Sequence, residues 1–91
     1  MQFECDPAKN AANKLKHGID FETAKALWSD LNAIEIAARN VDEPRFLRIA
    51  RLDEDERAHL WSAVFTYREA VIRLISVRRS RASEVILYES Q

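Results

Sequence analysis

The sequence predicts an α+β domain: an antiparallel β-sheet meander with two N-terminal helices and a C-terminal helix, in the order β-α-α-β-β-β-β-α. Three observations lead there. Apolar residues recur at helical spacing before Ser29 and again from Arg81 to Glu89. Between Ala33 and Val77 the pattern changes to runs rich in β-branched and aromatic residues, separated by polar turns. Strands that follow one another through short connections pair antiparallel, and helices segregated from them complete an α+β layer. The 91 residues, 47% of them hydrophobic, suit one domain with a small core.

Gln2-Phe3-Glu4-Cys5 alternates polar and apolar and reads as the first strand. Asp6-Pro7 then supplies an N-cap and a first helical residue whose missing N–H has no partner to lose. Ala8, Ala11, Ala12 and Leu15 form the expected buried stripe of the first helix, small enough for close approach. The chain's single glycine, Gly18, suits the left-handed position past the helix end. Lys14, Lys16 and His17 fall in the last turn, where cations complement the helix terminus. Asp20 caps the second helix, Ile19 staples onto Ala24, and Phe21, Ala24, Leu27 and Trp28 make its apolar stripe up to Ser29-Asp30.

Strands are expected over Ala33–Ala37, Arg45–Leu52, His59–Arg68 and Val71–Val77. Arg39–Pro44, Asp53–Ala58 and Glu69-Ala70 join them. Ser80 is the expected cap of a final helix reaching Glu89.

Composition excludes several classes. No stretch reaches the ~18 apolar residues of a membrane span, and the start of the chain has no secretory pattern. One cysteine, Cys5, rules out an internal disulfide and a multi-cysteine metal site, so a reducing cytoplasm is the expected compartment. One glycine cannot build a phosphate-binding loop, and no HExxH pair is present. No metal and no cofactor are expected.

The net charge of −1 conceals segregation. Residues 53–56 are all acidic, whereas residues 71–81 hold four arginines and no acid. Phosphate responds to such patches rather than to total charge. On strict alternation Arg73 and Arg79 share a face with Val71, Ile75 and Val77, and Arg78 points to the other. Arg48 and Arg51 interrupt the neighbouring strand in the same way. Arginine forks match phosphate oxygens, although single strand arginines are commonly paired or solvated. His17 is the side chain best suited to proton transfer near neutrality, and its plainer role is a helix-end cation. Trp28 and Trp61 read as core.

Three blocks resemble the BrnT family of toxins from bacterial type II toxin–antitoxin systems. The first is Phe3-Glu4-Cys5-Asp6, Lys9 and Asn13, continuing as Lys16-His17-Gly18-Ile19-Asp20-Phe21. The second is Arg45-Phe46-Leu47-Arg48-Ile49-Ala50. The third is Ile72-Arg73-Leu74-Ile75-Ser76-Val77-Arg78-Arg79-Ser80, followed by Glu84 and Tyr88. Cys5 stands where the family has tryptophan, Ala50 where it has glycine, and Tyr67-Arg68-Glu69 where it has a Glu-Arg-Gly type turn.

The resemblance implies a RelE-like fold and an endoribonuclease that inhibits translation. It implies a BrnA-like antitoxin partner, through which the toxin reaches operator DNA only indirectly. Under this reading His17, Arg78, Arg79 and Glu84 are the candidate catalytic residues, with Glu84 either a base or an orienting partner for an arginine. Lys14, Lys16, Arg48, Arg51 and Arg73 are the candidate RNA contacts. A non-catalytic RNA- or protein-binding module using the same basic surface is the alternative.

Overall fold

A computed structural model describes residues 2–38, 43–52 and 59–91. The expected 53–58 connection, with its acidic run, and residues 39–42 lie outside the described residues. The strands are β1 (Gln2–Cys5), β2 (Ile34–Ala38), β3 (Arg45–Arg51), β4 (Leu60–Arg68) and β5 (Val71–Arg79). The helices are α1 (Pro7–His17), α2 (Phe21–Ala24), continued by a 3₁₀ turn over Lys25–Ser29, and α3 (Ala82–Glu89).

The sheet order is β1-β5-β4-β3-β2. β2 to β5 form the expected antiparallel meander. β1 does not extend it antiparallel: it lies parallel to β5, Gln2 beside Val71 and Cys5 beside Leu74, so the sheet is mixed. The helices after β1 carry the chain to the far edge of the sheet, and the meander from β2 to β5 then returns it alongside β1 in the parallel sense.

Most local expectations hold. Asp6 accepts from the Ala8 N–H at 2.9 Å, and Asp20 from the Thr23 N–H at 2.8 Å. Gly18 has φ +78°, and its N–H closes onto the Lys14 carbonyl at 3.0 Å. Ser80 is not the cap of α3. Arg81 holds that position, and the Glu84 carboxylate reaches back to its N–H at 2.8 Å.

One sheet face is covered by the Phe21–Ser29 segment. Phe21, Ala24 and Leu27 are buried against Ala50, Trp61, Ala63, Phe65, Ile72, Leu74 and Val77. Trp28 packs edge-on against Phe3 and Phe65, with ring centres 5.1 Å away in each case.

α1 departs from its expected packing. Ala8, Ala11 and Ala12 face solvent and Leu15 is 90% exposed, while the buried residue of this helix is Asn13. The Asn13 amide accepts from the Val77 N–H and donates to the Val77 carbonyl, each at 2.9 Å. β1 ends opposite Leu74, so farther along β5 the backbone needs other partners on that edge. Asn13 supplies them, standing in for a strand.

Candidate functional site

β5 contains the irregularity that builds the site. Val64 pairs with Ser76 and Phe65 with Leu74, leaving Ile75 as the extra residue of a β-bulge. The bulge reverses the alternation of side chains. Paired residues share a face, so Arg73, Ser76 and Arg78 line one side of β5 with Thr66, Val64 and Ser62 of β4. Arg79 joins the opposite, covered side, its guanidinium 5.8 Å from the centre of the Trp61 ring. The expected grouping of Arg73 with Arg79, and Arg78 apart, is therefore corrected: unbroken alternation does not survive an inserted residue.

α3 covers one end of the face bearing Arg73 and Arg78, lying across Ser62, and at the other end Thr66 is buried with its hydroxyl donating to the Pro44 carbonyl. Beyond α3 the surface continues through half-buried Ser76, Val64 and Leu47 to the exposed Ile36.

Glu84, only 8% exposed, organises the end under α3. It receives a two-bond fork from Arg78, 2.7 Å to Oε1 and 2.8 Å to Oε2. Oε1 also accepts from the Ser62 hydroxyl at 3.0 Å and from the Arg81 N–H at 2.8 Å. The Ser62 and Ser80 hydroxyls lie 2.8 Å apart. The Arg78 fork, aided by Arg81 and Ser62 and opposed by burial, holds the Glu84 carboxyl down at about 2. The same fork strengthens the guanidinium's hold on its proton. A carboxylate this acidic and this fully engaged is a poor base. Of its two expected roles, orienting Arg78 is the one the geometry supports.

Tyr88 ties the other end of α3 down, its hydroxyl donating to Asp30 at 2.8 Å. Asp30 also accepts from the Arg51 and Asn32 N–H groups, at 2.8 and 2.9 Å. Burial works to raise the Asp30 carboxyl, but these three donors outweigh it and the net shift is downward.

The remaining candidates divide clearly. Arg73 points onto the open face, 3.3 Å from Glu4 of β1. Lys14, Lys16 and His17 end the helix that Asn13 fastens to β5. Lys16 and His17, three and four residues after Asn13, share its side of α1. Lys16 is exposed and His17 half-buried. Among the described residues no hydrogen bond or ion pair joins His17 to Arg78, Arg79 or Glu84. Lys14 lies near Asp20, whose carboxyl is lowered chiefly by Thr23 and in smaller part by this lysine.

Arg48 sits apart, on the covered face. It donates to the Leu27 and Asp30 carbonyls and to Glu35 at 3.1, 3.4 and 2.7 Å, with its guanidinium 5.2 Å from the Trp28 ring centre. Its engaged donors hold the 27–30 turn, which leaves little of it for a phosphate. Arg51 lies at the far end of β3, where its charge acts on Tyr88.

Ser62, the contact of Ser80 with it and the docking role of Asn13 were not expected from the sequence. A serine within an apolar strand carries no signal of its own. The arginine six residues before an N3 glutamate was the visible trace of the network.

No curated protein matches the chain. The family model described as ribonuclease toxin, BrnT, of type II toxin–antitoxin system matches residues 5–84. That span contains the α1 end, the bulged β5 and Glu84, and the chain belongs to the BrnT family of ribonuclease toxins from type II toxin–antitoxin systems.

Proposed function

We propose that the open face of the sheet binds RNA and cleaves it by attack of a 2′-hydroxyl on the adjacent phosphorus, without a metal ion. The observation that carries this reading is the Ile75 bulge, which turns Arg73, Ser76 and Arg78 together onto a face that α3 covers at one end only. In-line attack forms a 2′,3′-cyclic phosphate and expels the 5′-oxygen. Arg78, oriented by Glu84, stabilises the charge that develops on the phosphorane oxygens. Arg73 and the lysines of the α1 end hold the flanking phosphates. His17 is the proton carrier of the set, suited to take the 2′-hydroxyl proton or return one to the leaving oxygen.

Cleavage of this kind stops translation in the cytoplasm, and a BrnA-like antitoxin neutralises it. Contact with operator DNA runs through that partner. Expression of the chain alone is expected to arrest growth, and the purified protein to cut RNA in EDTA, leaving cyclic phosphate ends. His17→Ala is expected to abolish the arrest; undiminished toxicity removes His17 from the mechanism.

A second reading has one observation in its favour. Glu84 is wholly engaged and unsuited to act as a base, as expected of a degenerate toxin that binds RNA or protein without cutting. RNA that shifts on a gel yet stays intact at high protein concentration selects that reading.

A further inference from the structure

We infer that Ser62, with Ser80 behind it, is a positioning residue for Arg78, acting through the Glu84 carboxylate. The inference rests on the open face being the RNA-cleaving surface, but its geometry is independent of that. Ser62 lies directly beside Arg78 in the β4–β5 register, under α3, and is fully buried. Its hydroxyl meets Glu84 Oε1 at 3.0 Å and the Ser80 hydroxyl at 2.8 Å.

Proton counting sets the direction. Ionised Glu84 only accepts, so the single Ser62 proton goes to Oε1. Ser80 must then donate to Ser62. The result is a one-way chain from Ser80 to Ser62 to Glu84, ending on the guanidinium. Rotation about the last glutamate torsion is intrinsically broad. Three donors on Oε1, from β4, β5 and the start of α3, fix the carboxylate plane so that both oxygens meet the Arg78 fork. Without the Ser62 hydroxyl that plane is held from fewer sides, and the guanidinium loses its fixed aim at a scissile phosphate.

The test compares Ser62→Ala, Ser80→Ala and the double variant with the unsubstituted protein. Cleavage of an RNA oligonucleotide and the Glu84 side-chain carboxyl ¹³C titration are read in parallel. The charged group facing Glu84 is Arg78 from β5, while Arg81 at its own helix start meets it through the backbone N–H, and neither is altered. Ser62→Ala is expected to lower kcat about tenfold, as loss of a hydrogen bond to a charged group does, with KM changed less than about twofold. Its Glu84 titration should move upward. Ser80→Ala should have a smaller effect of the same sign. Adding it to Ser62→Ala should change nothing further, because Ser80 acts only through Ser62.

An unmoved Glu84 titration in both single variants overturns the inference, as does a double variant whose losses simply multiply. If the unsubstituted protein cuts no RNA, the cleavage reading fails, yet the titration still decides whether the relay exists. If Ser62→Ala does not fold, the titration of Ser80→Ala decides alone: an upward shift supports the relay and no shift overturns it.

Discussion

The Phe21–Ser29 segment and α1 are neighbours in sequence but are held to the sheet in opposite ways. The first presses Phe21, Ala24 and Leu27 into an apolar core. The second turns its alanines and Leu15 outward and docks through Asn13 onto the Val77 backbone. α3 follows α1, fastened by Glu84 at one end and Tyr88 at the other. Apolar burial is roughly proportional to area and tolerant of angle, whereas a hydrogen bond fails outside a narrow geometry. The apolar dock supplies stability. The polar docks place α1 and α3 against particular residues of β5, the strand that carries Arg73 and Arg78.

Removing apolar packing should cost most. Phe65→Ala deletes a fully buried ring in contact with Trp28, Phe46 and Tyr67, and is expected to cost about 4 kcal/mol in urea unfolding. A loss no larger than that of a polar latch would erase the contrast.

The Glu84 latch comes next and carries a pH signature. Its carboxyl lies near 2 when folded and returns to the ordinary value of 4.5 when unfolded. A folded value below the unfolded one means that the stabilisation is complete above about 4.5 and fades as pH falls toward 2. The shift corresponds to about 3 kcal/mol at neutral pH. Glu84→Gln should flatten this acid limb, and an unchanged limb would show that the latch contributes nothing.

Asn13→Ala leaves the Val77 N–H and carbonyl without their side-chain partner, at an expected cost of about 2 kcal/mol. Selective amide exchange at Val77 would locate that loss. Leu15→Ser should change stability by less than about 0.5 kcal/mol, despite replacing the largest apolar residue of α1's stripe. A substantial loss there would mean that the alanine and leucine side of α1 is packed after all.

What the sequence disclosed follows the same division. Caps at Asp6 and Asp20, the Gly18 turn and the Phe21-Ala24-Leu27 stripe were legible because each has a local cause. The packing of α1 was misread because periodicity locates an apolar side and does not reveal whether anything covers it. The parallel pairing of β1 was hidden, since it depends on where the meander returns the chain. The bulge at Ile75 was hidden too, because one extra residue in an unbroken aliphatic run leaves no mark in composition. That single residue determines which arginines share a face. The Arg78–Glu84 pair was within reach of the sequence, six positions apart across a strand-to-helix turn. Ser62 was not, because only the β4–β5 register brings it beside them.

The face assignment at the bulge is therefore the claim on which the functional account rests most heavily. It is tested most directly by RNA cleavage with purified Arg78→Lys and Arg79→Lys proteins. A lysine keeps the charge and loses the two-pronged geometry, so Arg78→Lys is expected to lower kcat about a hundredfold. Arg79→Lys, on the covered side beside Trp61, should stay within about threefold of the unsubstituted protein. Equal losses in the two variants, or a greater loss in Arg79→Lys, would contradict the account.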